Sequence, residues 1–133
     1  MAQIEHPPSK TGPFSTKVGF VTEKSTQNEV ETILKIEDHH LNAKDIVHGG
    51  VIATMVDNII GDTLATTLNC TVVTINININ YLSAAKRGDE LIAKGRVIQQ
   101  GYRIATGEGE ITDKEGNPIA KGTGTFKVIR PKA

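Results

Sequence analysis

From Val51 to Leu64 the chain carries Val51, Ile52, Met55, Val56, Ile59, Ile60 and Leu64. These positions cover more than one stripe of a helix, so the spacing predicts a helix over about residues 49–67 that is buried on most of its sides. The pattern then changes period. In TVVTINININYLS, Val73, Ile75, Ile77, Ile79 and Tyr81 alternate with Thr74, Asn76, Asn78 and Asn80, which is strand patterning with one apolar and one polar face. Three more strand-like runs follow, DELIAKGRVIQQ, YRIATGEGEITDK and PIAKGTGTFKVI, punctuated by Gly88-Asp89, Gly101 and DKEGNP. Upstream, KVGFVTEKS and EVETILKIED flank STQN and read as a hairpin, with DHHLNAKDIV as the loop that leads to the helix. Two strands, one helix and four strands predict an α+β fold in which the helix lies along the concave face of a strongly curved antiparallel sheet.

A chain of 133 residues fits one domain. Residues 15–133 are read as that domain. Residues 1–14, with Pro7, Pro8 and Pro13, are read as an extended or mobile lead-in. Fifteen acidic residues balance fifteen basic ones, so no global field points to nucleic acid. No apolar run approaches membrane-spanning length, and the N-terminus has no apolar signal core. Cys70 is the single cysteine, which excludes a disulfide within the chain and suits a reducing compartment; no reactive role is expected of it. The expectation is a cytoplasmic domain with neither nucleic-acid nor membrane partners.

The chemistry concentrates in VHGGVIATMVD, residues 47–57. Aspartate is a poor helix-interior residue, and burying it charged and unpaired is costly. Asp57 is therefore a structural carboxylate held by a donor, or a residue on a helix face that is exposed after all, or a general base or nucleophile whose pKa desolvation raises. Gly49 and Gly50 open the helix, where free N–H groups carry a partial positive charge and a missing Cβ lets a ligand oxygen approach. Such a start can hold a developing oxyanion, or the glycines serve only a tight entry turn. His48 either moves a proton or orients a neighbour.

Gly49 and Asp57 are eight residues apart, about 12 Å along a helix at ~1.5 Å per residue. Reacting atoms must approach to roughly 3–3.5 Å. One carbonyl cannot sit on this helix's N-terminus and be attacked from the same helix's Asp57. If both act in one reaction, the second comes from another subunit, and two antiparallel helices across a two-fold make two composite sites.

LNAKDIVHGGVIATMVDNI, INYLSAAKRGDEL, GRVIQQGYR and GNPIAKGTGTF, spanning about residues 41–126, resemble the hotdog-fold acyl-CoA thioesterases of the phenylacetate-pathway, PaaI-like, group. The first block is the most specific: Asn42 stands six residues before His48, and Asp57 nine after it. The resemblance implies one long central helix wrapped by a curved antiparallel sheet, a homodimer with composite active sites, and a homotetramer. It implies that Asp57 activates water or attacks the thioester carbon, and that the Gly49 N–H polarises the carbonyl. Asn42 would hold the carbonyl or the water, Thr74 would orient the water, and His48 would shape the turn. Asn42 and Gly49 would come from one subunit, Asp57 and Thr74 from its partner. Coenzyme A would run along Asn76, along Tyr81, Leu82, Ser83, Ala84, Ala85 and Lys86, and along Gln99, Gln100, Gly101, Tyr102, Arg103 and Ile104, with Lys127 nearby. Ala84 stands where many relatives carry proline. No cofactor or metal is implied, coenzyme A being part of the substrate.

Lys86, Arg87, Arg103 and Lys127 are charged donors suited to phosphate. A non-catalytic acyl-CoA sensor of the same fold is the alternative. A dehydratase would want a histidine base, and the helix has none inside it. A metal site built from Asp38, His39, His40 and His48 is disfavoured because adjacent histidines on a strand point to opposite faces.

Overall fold

The computed structural model describes residues 12–25 and 29–130. A short helix, α1 (Pro13–Val18), leads into strands β1 (Val21–Ser25) and β2 (Val30–Lys35). After a 3-10 turn at Asp38–His40 comes the long helix α2 (Gly49–Leu68), then strands β3 (Thr71–Tyr81), β4 (Glu90–Gln100), β5 (Ile104–Asp113) and β6 (Pro118–Ile129). All six strands form one antiparallel sheet in the order β1-β2-β4-β5-β6-β3, so β1 and β3 are its edges. The succession of two strands, a helix and four strands is as the patterning predicts. Neither described helix is long and apolar enough to cross a membrane.

The start of the chain departs from its sequence reading. Pro13 and Phe14, read as lead-in, and Lys17 and Val18, read as strand, all belong to α1. Proline pre-sets the backbone angle of a first turn, and Gly19, left-handed at φ 102°, closes the last one. Residues 1–11 of the lead-in and 26–28 of the hairpin turn lie outside the described residues.

Helix α2 packs on β2, β3, β4, β5 and β6 through Ile52, Met55, Val56, Ile59, Ile60 and Leu64, all buried. Four strand glycines let the sheet close on it. A Cβ on Gly109 would stand 2.8 Å from Ile59 Cγ2, and one on Gly122 2.8 Å from Val56 Cγ1. On Gly107 it would meet Ile60 Cγ2 at 2.8 Å, and on Gly95 the Ile59 carbonyl oxygen at 2.9 Å. Such approaches exclude any side chain, which is the use of glycine inside a strand that meets another element closely. The burial of α2 is more one-sided than its composition implies. Val51, Thr54, Asp57, Asn58, Gly61 and Ala65 are only half-buried. Part of that side meets α1, where Asn58 Nδ2 donates to Ser15 Oγ at 2.8 Å.

Strand β3 overturns the alternation read from its sequence. A register shift between Thr74 and Asn76 inserts a bulge opposite β6. Ile77 and Ile79 pack toward the core, and so does Val72 on the other side of the bulge. Val73 and Ile75 are 49% and 56% exposed. An extra residue exchanges the faces of everything beyond it. Thr74 thereby turns toward α2 and parts company with Asn76, Asn78 and Asn80.

Candidate active site

The first turn of α2 is held by its own N-cap. His48 Nδ1 accepts the Gly50 N–H at 2.8 Å, and the His48 carbonyl accepts the Val51 N–H at 2.9 Å. The Gly49 N–H has no acceptor among the described residues. His48 thus shapes the turn, and its Nδ1 lone pair is committed to that task. The two glycines differ in kind. A Cβ on Gly50 would press against the His48 ring at 3.0 Å, whereas one on Gly49 would meet only the Tyr81 ring at an ordinary 3.6 Å. Gly50 is demanded by the cap. A methyl at Gly49 would meet no clash, and the space beside it is open.

That space is a cavity of about 370 Å³ lined by Asn42, Ile46, Val47, Gly49, Ile52 and Tyr81 through Ala85. Asn42 Oδ1 accepts the Lys44 N–H at 2.8 Å and the Ile46 N–H at 3.4 Å. Its oxygen is tied into the loop, while its Nδ2 has no acceptor among the described residues and is a free donor at the cavity wall. Tyr81 closes another wall, and its hydroxyl donates to the Gly49 carbonyl at 2.9 Å.

Asp57 lines no part of this cavity. It is half-buried on the open side of α2, where Thr74 Oγ1 donates to its Oδ1 at 2.7 Å. The β3 bulge makes this contact possible. The carboxyl that burial pushes upward is instead Asp62, five residues further on, whose pKa rises to about 6 through desolvation and, second, the neighbouring charge of Asp57. Asp62 takes no hydrogen bond among the described residues. The sequence reading passed over it, although a second carboxylate in the same apolar helix was the available signal. Ile46, Val47 and Ile52 were also missed as cavity residues, because apolar side chains give no sign of which wall they form.

The remaining site residues fall into the same two groups. Tyr81 to Ala85 lie at the end of β3 beside Gly49, and Lys86 continues that loop. Gln99 and Gln100 end β4, and Gly101 to Arg103 form the turn into Ile104. Ile104 pairs with Lys127, which pairs in turn with Val73, next to Thr74. Asn76 lies on the exposed edge strand beside them. Within one chain, then, Asn42, His48, Gly49 and the 81–86 segment occupy one end of the sheet. Asp57, Thr74, the 99–104 segment and Lys127 occupy the other. Thr74 and Tyr81 are seven residues apart along β3, about 23 Å at ~3.3 Å per residue.

Of the four candidate phosphate cations, Arg87 is engaged by Asp38. Lys86, Arg103 and Lys127 form no ion pair among the described residues. The histidine loop serves the fold: buried His40 accepts the Glu37 N–H on Nδ1 at 2.9 Å, and its Nε2 meets the Val18 carbonyl. Among the described residues no three His, Cys, Asp or Glu side chains are grouped to hold a metal ion. Cys70 is half-buried, its Sγ 3.9 Å from an Arg130 nitrogen.

A six-stranded antiparallel sheet curved around one long helix is the hotdog architecture. The sequence profile of the thioesterase superfamily matches residues 44–120. Human acyl-coenzyme A thioesterase 13 is 36% identical over 124 residues, covering 88% of this chain and 86% of that protein. A hypothetical thioesterase from Streptococcus pneumoniae TIGR4, solved with coenzyme A, superposes with a TM-score of 0.80 at 31% identity, covering 86% of this chain and 89% of that one. The PaaI protein of the Escherichia coli phenylacetic acid degradation operon shares the fold, with a TM-score of 0.84 at 18% identity over 90% of this chain and 86% of that one. The chain belongs to the thioesterase superfamily, has the hotdog fold that the PaaI protein shares, and is a thioester hydrolase.

Proposed function

We propose that this protein hydrolyses acyl-CoA to a free acid and coenzyme A, at sites each composed from two copies of the chain. The observation that carries the reading is the division of every site group between the two ends of β3. That strand is an unpaired edge eleven residues long, and a long edge with free N–H and C=O groups is a template for another strand. Pairing with a second β3 about a two-fold, antiparallel and centred between Ile77 and Asn78, lays the Tyr81 end of one chain on the Thr74 end of the other. Asn42, Gly49 and the 81–86 segment of one protomer then face Asp57, Thr74, the 99–104 segment and Lys127 of its partner. The relatives' names and the coenzyme A bound to the pneumococcal protein supply the substrate class.

In this site the thioester oxygen lies against the Gly49 N–H and Asn42 Nδ2 of one protomer, and the Thr74 hydroxyl and Asp57 carboxylate of its partner hold the water. Asp57 as general base takes a proton from water while the oxygen attacks the carbonyl carbon. Negative charge gathers on the carbonyl oxygen, where the two donors stabilise it. The carbon–sulfur bond breaks, and the thiolate recovers the proton. As a nucleophile, Asp57 would attack the same carbon directly, with water cleaving the resulting anhydride. Neither route draws on a metal or a further cofactor. Lys86, Arg103 and Lys127 meet the nucleotide phosphates, and two dimers associate as a tetramer in the cytoplasm.

A screen of acyl-CoAs of varied chain length and ring content, read by released thiol, tests the activity. Turnover of at least one is expected, and folded protein inert toward all of them would replace the hydrolase with an acyl-CoA sensor. The composite site is tested by co-expressing Asn42→Ala and Asp57→Ala chains, differently tagged. Each variant alone should be nearly inactive. A mixed dimer holds one doubly defective and one intact site, and random pairing makes about half the dimers mixed, so recovery of roughly a quarter of wild-type activity is expected if sites act independently. Purified mixed dimers without recovery would place both residues in a site within one chain.

A further inference from the structure

We propose that Tyr81 is a positioning residue for catalysis, its hydroxyl holding the Gly49–Gly50 peptide so that the Gly49 α-carbon, and with it the adjoining His48–Gly49 peptide that carries the free N–H, keeps its place at the cavity. The inference rests on the placement of the thioester oxygen at that N–H. Two adjacent glycines make this the least constrained peptide of α2, since neither flanking residue has a Cβ to restrict rotation. Four polar groups surround the Gly49 α-carbon. On the preceding plane the His48 carbonyl is fixed by the Val51 N–H at 2.9 Å, and the Gly49 N–H is free. On the following plane both groups are held. The Gly50 N–H donates to His48 Nδ1 at 2.8 Å, and the Gly49 carbonyl accepts the Tyr81 hydroxyl at 2.9 Å. Two side chains from opposite sides thus clamp one peptide, and the single group left unbonded is the donor the reaction needs. A preorganised donor is worth more than one that must reorient as charge develops.

The clamp reaches Gly49 from the last residue of the edge strand β3. It therefore ties the oxyanion donor to the strand through which the partner's carboxylate is brought up. Tyr81 is 56% exposed, so its ring is also a cavity wall, and a wall alone would need no hydroxyl. Tyr81→Phe separates the two roles, keeping the ring and removing only the clamp.

With the intact oligomer and an acyl-CoA that the wild type turns over, Tyr81→Phe should lower kcat about 5–10-fold, less than deleting an oxyanion donor outright, and leave KM within about two-fold. The melting temperature should not move. Hydrogen exchange at the Gly50 amide, which is bonded to His48, read by NMR without substrate, should accelerate in the variant while amides in the body of the sheet stay as they are. An unchanged kcat, or a rise in KM alone, would reduce Tyr81 to a wall and overturn the proposal. Were the wild type to hydrolyse no acyl-CoA, the functional reading would fall by itself; the exchange measurement still decides the clamp, because unaltered Gly50 exchange refutes it.

Discussion

The N-terminal turn of α2 and its middle are built in opposite ways. At the turn, His48 and Tyr81 bond the groups around Gly49 until one N–H is left over. Two turns further on, Asp57 and Asp62 stand on the less covered side of the same helix. Thr74 bonds the first, and no hydrogen bond among the described residues reaches the second. A single chain completes the donor half. The carboxylate half holds Asp57 and, near it, Asp62, whose proton affinity is raised by burial and by the charge of Asp57, beside a strand edge that is still open. Stabilising a developing charge requires fixed dipoles, whereas a base must stay accessible to water and substrate. The contrast teaches that the fold concentrates hydrogen bonds at the helix start and tolerates electrostatic strain in its middle, which is the division the proposed reaction calls for.

The most direct way to break the contrast is to relieve that strain. Asp62 has a folded-state pKa of about 6 against an ordinary 3.8. The folded protein therefore binds more protons than the unfolded chain between those values, and stability falls as pH rises through that window. The shift of about two units corresponds to roughly 3 kcal/mol at ~1.4 kcal/mol per unit, present as a penalty above pH ~6. Asp62→Asn should accordingly raise stability toward that amount at pH 8, measured by urea denaturation, and change little at pH 4. Equal stability of variant and wild type at pH 8 would mean that a cation meets Asp62 in the assembled protein.

Asp57→Asn probes the other carboxylate with the fold preserved. Turnover should fall at least ~10²-fold, about 2.7 kcal/mol, the scale of a lost general base. Near-wild-type hydrolysis by a clean preparation would exclude both roles proposed for Asp57. Thr74→Ala removes the 2.7 Å hydrogen bond to that carboxylate but leaves the base in place. Its cost should be about ten-fold in kcat, since orienting water contributes less than activating it. A loss equal to that of Asp57→Asn would assign the proton transfer to the pair as a unit.

The parts of this design that follow simple periodicities were legible in the sequence. The 3.6-residue spacing between Val51 and Leu64 marked α2 to within one residue of its end, and the distance from Gly49 to Asp57 already separated donor from carboxylate. The strand order was legible as a succession and hidden as a topology, because nothing local tells β3 to close against β6 at an edge. The bulge at Ile75 was invisible for a physical reason: alternation in TVVTINININYLS is unbroken, and the extra residue is set by the partner strand and the helix beneath it. That one residue decides whether Thr74 meets Asp57. The alternating glycines of ATGEGEITD and AKGTGTF were a readable signal of close helix approach, visible in hindsight at Gly107, Gly109 and Gly122. The short helix at Pro13 went unread because proline marks a first helical turn as readily as an extended segment.

The mildest perturbations fall on the cations that lie beside the carboxylate half. Arg103 sits in the turn between β4 and β5, and Lys127 pairs with Ile104 at the start of β5. Neither touches Asp57 or Gly49 by any hydrogen bond among the described residues, so in the proposed reaction they act through binding. Contacts to phosphates far from the thioester hold ground state and transition state alike, and such uniform binding appears in KM rather than kcat. Arg103→Ala and Lys127→Ala should each raise KM for acyl-CoA a few-fold, in keeping with single exposed charges, and leave kcat nearly unchanged. A short acyl-pantetheine thioester carries the reacting group without the nucleotide, so its hydrolysis should be unaffected by either substitution. An equal defect on both substrates would show that these residues act on the geometry of the β4–β5 turn, and the nucleotide would then have to be sought along Lys86 at the donor end. Combined with chains carrying Asn42→Ala, the same KM measurement also tells which protomer's cations serve the surviving site. In a mixed dimer of Asn42→Ala and Asp57→Ala chains, the intact site joins the donor half of the Asp57→Ala chain to the carboxylate half of the Asn42→Ala chain. Adding Lys127→Ala to the Asn42→Ala chain should raise KM at that site, and adding it to the Asp57→Ala chain should not. The reverse result would detach Lys127 from the carboxylate half and place the nucleotide path within the donor's own chain.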